Sequence, residues 1–461
     1  MFRKAERIHF VGIGGIGMSG IAEVLLNLGY AVSGSDLADS EITRRLARLG
    51  VRYCTGHRAE NVAQADVVVV SSAVTADNVE VLAARARKIP VIPRAEMLAE
   101  LMRMKYGVAV AGSHGKTTTT SLIATVLAKG GLDPTLVIGG RLNSLGGNAK
   151  LGQGQFMVAE ADESDGSFLK LNPMVAVVTT IDREHLDFYQ NLAEIQGAFE
   201  QFLNKVPFYG FCVVCADESN IRGILSGLTK KVFTYGLRGD VDYSACEVQT
   251  QGLGSTFVAT RHGKALGSVA LNIPGLHNIC NALAATATGI ELDVPFARIQ
   301  EALREFSGIH RRFEVKGNAR GITVVDDYGH HPTEIDATLH TARLVWPDRR
   351  LVVIFQPHRY TRTHALWQEF CPPLLTADML LLTEVYSAGE RPIPGVSGTL
   401  IWEGMQTLGH PQTLFVPHKE QLASQALQHI RAGDVVLTLG AGDVWKVGEQ
   451  LLKALQEGEA A

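Results

Sequence analysis

Short, unbroken apolar runs, most of them rich in valine, recur along the chain at residues 8–11, 67–70, 108–111, 175–178, 323–325, 351–355, 379–382 and 435–439. Between them, apolar residues return every three or four positions, as in Met18, Ile21, Ala22, Leu25 and Leu28. A strand that is apolar throughout belongs in a sheet covered on both faces, and strands alternating with amphipathic helices connect most readily in parallel. The pattern predicts an α/β protein with largely parallel sheets. Roughly a dozen such strands exceed one ordinary sheet, so several domains are expected. One break is expected near Arg103-Met104-Lys105-Tyr106, where a helix ends and a new strand begins. A second is expected near residues 307–312, after a helix at 297–306 and before a strand starting near Phe313. The resulting segments are 1–105, 106–309 and 310–461.

Length agrees with this division, because 461 residues are too many for one compact core. Hydrophobic residues make up 46% and charged residues 20%, an ordinary soluble balance. With 43 basic and 47 acidic residues and a formal charge of −4, nucleic-acid binding is not expected. An anionic ligand must then be held by a local basic site. The first apolar run breaks at once into glycines, so it reads as a strand entering a loop and not as a signal peptide. No run of about 18 apolar residues exists, so no membrane span is expected. Cys212 and Cys215 form a C-x-x-C inside an apolar strand, where they point to opposite faces, and no second pair completes a zinc site. Scattered cysteines of this kind suit a reducing, cytoplasmic compartment.

Two glycine loops carry the first chemistry. Gly12-Ile13-Gly14-Gly15-Ile16-Gly17 follows one strand and opens a helix, the setting in which glycines let a backbone approach a pyrophosphate. The next strand ends at Ser35 and Asp36, where an acidic side chain would meet a ribose or base. Taken locally, this is a dinucleotide site. The second loop, Gly112-Ser113-His114-Gly115-Lys116-Thr117-Thr118, also joins a strand to a helix. Its chemistry is that of a P-loop, in which amides cradle phosphate, Lys116 neutralises it and a threonine hydroxyl reaches Mg²⁺. Two such loops imply two different phosphorylated ligands.

Glu160-Ala161-Asp162-Glu163-Ser164-Asp165 ends another strand and suits a Mg²⁺ site, with a further ligand available from Asp182-Arg183-Glu184-His185. Asn278 and Asn281 open an alanine-rich helix and offer amides to an adenine edge. Asp326-Asp327-Tyr328-Gly329-His330-His331 and Gln356-Pro357-His358-Arg359-Tyr360-Thr361-Arg362 follow two later strands. Polar clusters at the carboxyl ends of parallel strands line ligand crevices, and Arg359 with Arg362 forms an anion clamp.

These strings together resemble the Mur ligases of peptidoglycan synthesis over nearly the whole chain, the last two being the most specific. One departure is Ser113, where the family more often has threonine; both can hydrogen-bond. The resemblance implies three domains and is closest to the branch that uses ATP and Mg²⁺ to join L-alanine to UDP-N-acetylmuramate. It reassigns the first loop to the UDP-sugar, with Gly14, Gly15 and Gly17 at the pyrophosphate, Ser35 or Asp36 at the uridine, and His57 and Ser72 nearby. It implies that Gly112, His114, Gly115, Lys116, Thr117 and Thr118 hold ATP phosphates and that Thr117, Glu160 and His185 bind metal. Asn278 and Asn281 would serve the adenine, and Arg312, Asp327 and Tyr328 would reach ATP from the third domain. His330, Arg359 and Arg362 would face the sugar nucleotide and the forming amide. A monomer or weak homodimer is expected.

Sister Mur ligases carry a carbamylated lysine shortly after the counterpart of His185. Here residues 186–204 contain no lysine, and Glu200, on a helix expected at 193–203, is expected to take over part of that role. An NAD-dependent dehydrogenase would leave the P-loop idle. A P-loop switch or motor would leave the third-domain clusters unexplained. A recycling ligase that adds a murein tripeptide is set against only by the Arg359-Tyr360-Thr361-Arg362 string.

Overall fold

The computed structural model describes residues 6–71, 73–142, 147–185 and 188–457. Three sheets organise the chain. The first is wholly parallel, in the order β3-β2-β1-β4-β5, from β1 (Arg7–Val11), β2 (Ala31–Asp36), β3 (Arg52–Thr55), β4 (Val67–Val70) and β5 (Val91–Pro93). The second begins with β6 (Tyr106–Ala111), β7 (Thr135–Leu142), β8 (Gly147–Lys150), β9 (Phe156–Glu160) and β10 (Val175–Val178). It continues with β11 (Phe211–Cys215), β12 (Val232–Tyr235), β13 (Tyr243–Gln251), β14 (Gly254–Arg261) and β15 (Lys264–Leu271). Its order is β15-β14-β13-β12-β11-β10-β6-β9-β7-β8. The third contains β16 (Glu314–Ala319), β17 (Ile322–Asp327), β18 (Leu351–Phe355), β19 (Met379–Leu382), β20 (Thr413–Phe415) and β21 (Val435–Leu439). Its order is β16-β17-β21-β18-β19-β20, with only β16 antiparallel to its neighbour.

The first sheet and the second, apart from residues 249–255, belong to one compact unit and the third sheet to another. Apolar runs became strands for the expected reason. In β18 and β21 every residue is buried, and alternation divides them between two cores. Val353, Phe355, Leu437 and Leu439 pack on one face, and Val352, Ile354 and Val436 on the other. Within the larger unit, the helix Ile16–Asn27 packs on β7 and β8. Cys212 and Cys215 are buried on β11, and the six cysteines are unbridged. Among the described residues, no helix is long and apolar enough to cross a membrane.

Candidate active site

At the end of β6 the chain turns at Gly112, where φ is +135°. A Cβ there would lie 2.1 Å from Thr179 Oγ1 and 2.9 Å from the Thr180 amide nitrogen. The turn is tight because it is tied to the end of β10. The Ser113 amide donates to the Thr180 carbonyl at 2.9 Å, the His114 amide to Thr180 Oγ1 at 2.8 Å, and the Asp182 amide to Ser113 Oγ at 2.8 Å. Gly112→Ala combines a disfavoured φ with a clash that backbone must absorb, so it is expected to lower unfolding free energy by about 1–3 kcal/mol. Urea denaturation checks this, and an unchanged midpoint would mean that the loop has slack.

The loop opens the helix Lys116–Lys129. Lys116 Nζ donates to the Gly112 carbonyl at 2.6 Å, to the Ser113 carbonyl at 3.3 Å and to Glu163 Oε1 at 2.7 Å. Burial alone would push the Lys116 pKa down; the charges of Glu163, Glu160 and Asp162 outweigh it and raise the pKa. Thr117 Oγ1 donates to Glu160 Oε2 at 3.0 Å, and the same oxygen accepts the Gly139 amide at 2.7 Å. Thr118 is buried in the first helical turn. His114 Nε2 lies 3.1 Å from Asp182.

His185 sits at φ +55°, with Nε2 3.5 Å from Glu163 Oε1 and 3.8 Å from Glu184 Oε2. One ligand atom from each of Glu163, Glu184 and His185 falls within 4.8 Å of the others. Glu163 is 1% exposed, yet among the described residues its Oε2 has no hydrogen-bond partner. A buried carboxylate oxygen left bare is costly, and a hard cation would satisfy it. The residues present therefore fit a Mg²⁺ ion. Asn281 Oδ1 accepts the Thr119 hydroxyl at 3.0 Å and its Nδ2 donates to Asn278 Oδ1 at 3.2 Å, which sets both asparagines against the P-loop helix.

The first glycine loop is built in the same way. The Gly12 and Ile13 amides donate to the Ser35 carbonyl at 2.9 and 3.0 Å, and the Gly14 amide to Asp36 Oδ2 at 2.8 Å. Gly15 is the N-cap of the helix Ile16–Asn27. A Cβ on Gly17 would lie 2.9 Å from Arg94 Nη1, and Arg94 itself pairs with Asp162 at 3.1 Å. Ser35 Oγ is 3.0 Å from His57 Nδ1. Ser72 lies outside the described residues.

In the smaller unit, the ends of β17 and β18 carry the polar strings. Asp327 accepts the Phe313 and Gly329 amides, both at 2.7 Å, and the Thr338 hydroxyl at 3.2 Å. The guanidinium groups of Arg311 and Arg312 lie over the Tyr328 ring at 5.0 and 5.1 Å. His330 Nδ1 is 3.2 Å from Glu334 and 3.1 Å from the Tyr328 carbonyl. His358 stacks on Tyr386 at 5.5 Å, and Arg362 Nη1 approaches its Nδ1 at 3.3 Å. Arg359 caps the helix Tyr360–Leu374 at φ +70°.

Burial pushes the Asp327 carboxyl up to about 6, against the pull of Arg312 and of the two amides. A carboxyl with a higher pKa folded than unfolded binds its proton first in the folded state. Its contribution to stability is full below about pH 4 and is lost as pH rises through about 6. Asp327→Asn removes this dependence. Relative to the variant, the parent protein should lose about 3 kcal/mol of unfolding free energy between pH 3 and pH 7. A pH-independent difference between the two proteins refutes the assignment.

Three family models cover the chain in sequence: the Mur ligase family catalytic domain at residues 7–106, the Mur ligase middle domain at 110–289 and the Mur ligase glutamate ligase domain at 311–442. The chain belongs to the Mur ligase family. A relative from Geotalea daltonii, named UDP-N-acetylmuramate–L-alanine ligase, is 58% identical over 99% of this chain and 100% of its own. The crystal structure of UDP-N-acetylmuramate–alanine ligase from Thermotoga maritima is 32% identical, with a TM-score of 0.84 over 98% of this chain and 99% of that one. A murein peptide ligase from Psychrobacter arcticus is 25% identical, with a TM-score of 0.72 over 97% and 98%.

Glu163 and His358 stand in strings read from the sequence but without a role of their own, while Arg94 beside Gly17, Arg311 over Tyr328 and Tyr386 against His358 are not singled out there. Each was one polar residue among many until its partner came near. The Glu200 carboxylate lies against Gly227, where an added Cβ would strike it, and among the described residues the carboxylates within 4.0 Å of His185 Nε2 are those of Glu163 and Glu184.

Proposed function

We propose that this Mur ligase joins L-alanine to the lactyl carboxylate of UDP-N-acetylmuramate with conversion of ATP to ADP and phosphate, a cytoplasmic step of peptidoglycan precursor synthesis. The observation that carries this reading is the full-length, 58% likeness to a relative of that name. In this reading, residues 1–105 bind the UDP-sugar, 106–309 bind ATP and Mg²⁺, and 310–461 complete the ATP and amino-acid sites.

A carboxylate is a poor electrophile because attack must push electrons onto an already anionic group. Its oxygen first attacks the γ-phosphorus of ATP, ADP leaves, and an acyl phosphate forms. This step needs alignment and charge neutralisation more than covalent catalysis. Lys116 and Arg312 neutralise the phosphates, and the loop residues Gly112, His114 and Gly115 cradle them with Thr118. Thr117, Glu160 and His185 would hold Mg²⁺, with Glu163 close by; that ion supplies further neutralisation of phosphate charge. Asn278, Asn281, Asp327 and Tyr328 orient the nucleotide. The L-alanine ammonium first gives a proton to solvent; its nitrogen then attacks the acyl carbon, His330 and Arg359 stabilise the tetrahedral oxyanion, and a second nitrogen proton is lost as phosphate leaves. Gly14, Gly15, Gly17, Asp36, His57 and Arg362 hold the sugar nucleotide, with the buried Ser35 behind His57.

The test incubates the protein with ATP, Mg²⁺ and UDP-N-acetylmuramate and measures phosphate release. Release is expected with L-alanine and not with the murein tripeptide; the reverse pattern overturns the proposal. UDP-N-acetylmuramate is expected to raise the melting temperature and NADH to leave it unchanged, since specific ligands stabilise by mass action.

A further inference from the structure

Glu80 has no solvent exposure, and no step above uses it. It stands in the first turn of the helix Val79–Ala86. Its Oε2 accepts the Ser35 hydroxyl at 2.6 Å and lies 3.3 Å from His57 Nδ1 and 3.6 Å from His9 Nε2. Its Oε1 accepts the Arg58 amide at 3.2 Å and the Asn61 side-chain amide. Burial alone would push this carboxyl up; the nearby His9 ring and the bonds from Ser35 and Asn61 instead hold it down at about 2. A buried charge caged so thoroughly specifies the geometry of its partners.

The proton count fixes one of them. A Ser35 hydroxyl has a single proton, and at 2.6 Å from a carboxylate that only accepts, it is given to Glu80. The 3.0 Å contact between Ser35 Oγ and His57 Nδ1 must then be donated by the ring, so Nδ1 carries hydrogen. In the neutral imidazole this leaves Nε2 as an acceptor. The His57 side chain is 13% exposed. Ser35 is also the residue whose carbonyl receives the Gly12 and Ile13 amides, so one residue links Glu80 to the first glycine loop.

We propose that Glu80 is a positioning residue for the sugar nucleotide: it fixes His57 with Nδ1 protonated and presents Nε2 to the base, where it accepts the imide N–H that uracil carries and cytosine lacks. The proposal rests on the assignment of the N-terminal glycine loop to the UDP-sugar.

Glu80→Gln and His57→Ala test it by kinetics and calorimetry. Each is expected to raise KM for UDP-N-acetylmuramate about tenfold, the loss of one good hydrogen bond, with kcat and the KM for ATP within about twofold of the parent. The double variant should be no worse than either single one, because both break the same link. The parent should bind UDP more tightly than CDP, and both variants should lose that preference. An unchanged preference overturns the proposal, as does a fall in kcat matched by a rise in the KM for ATP, which is the mark of general damage. If Glu80→Gln does not fold, Ser35→Ala breaks the link from the other side and is held to the same results. Gly15→Asp separates the two layers of the argument. If it leaves UDP binding intact, the loop assignment fails; if it weakens UDP binding while the Glu80 and His57 variants do not, only the positioning role fails.

Discussion

Replacing Lys116 by alanine is expected to lower kcat/KM roughly 10³-fold or more, about 4 kcal/mol of transition-state stabilisation, while UDP-N-acetylmuramate still binds within about threefold of its normal affinity. The two effects separate because the lysine belongs to the loop after β6 and the sugar nucleotide is assigned to the loop after β1. Titration calorimetry on the variant reads the second effect, and loss of sugar-nucleotide affinity would sink the two-loop assignment. Stability should fall as well, since Lys116 is the 2.7 Å partner of a Glu163 that is almost wholly buried. Removing one member of such a pair costs about 3–5 kcal/mol. The double variant Lys116→Ala/Glu163→Gln should recover much of that stability and none of the activity. Recovery of activity would show that the single variant failed through misfolding.

Glu160→Gln is expected to raise the Mg²⁺ concentration for half-maximal rate at least about tenfold and to lower the rate at limiting Mg²⁺ about 100-fold. Glu160 holds Thr117 and the Gly139 amide together at the mouth of the P-loop, so the change removes a charge with little change of shape. An unchanged Mg²⁺ dependence would remove Glu160 from the metal site. Glu200→Ala should leave that dependence unaltered, given its position against Gly227. Rates in CO₂-depleted buffer should equal those with bicarbonate, since the stretch after His185 has no lysine to carbamylate. A bicarbonate requirement would contradict this.

The strands read most easily from sequence were those buried on both faces. β18 and β21 are apolar at nearly every position and have no other plausible place. By contrast, β13, β14 and β15 went unnoticed. β14 alternates buried and half-buried positions, and β13 reads Tyr-Ser-Ala-Cys-Glu-Val-Gln-Thr-Gln, in which no continuous apolar run stands out. The loop after β6 and the strings after β17 and β18 stand out in the sequence because each is contiguous. The supporting pairs are not local. Glu163 meets Lys116 across 47 residues, Arg94 meets Asp162 across 68, and Glu80 meets Ser35 across 45. One sequence shows that these carboxylates exist and gives no sign of which cation or hydroxyl each will face.

At Arg359, stability and function pull in opposite directions. A backbone at φ +70° and ψ 136° costs an arginine about 1–3 kcal/mol and costs glycine almost nothing. In its proposed role the guanidinium faces the forming amide, so the residue that would relax the turn would also remove the charge. A library of variants selected for heat resistance alone should therefore discard Arg359 for glycine early. The same library selected for ligation should keep arginine and place its stabilising changes elsewhere.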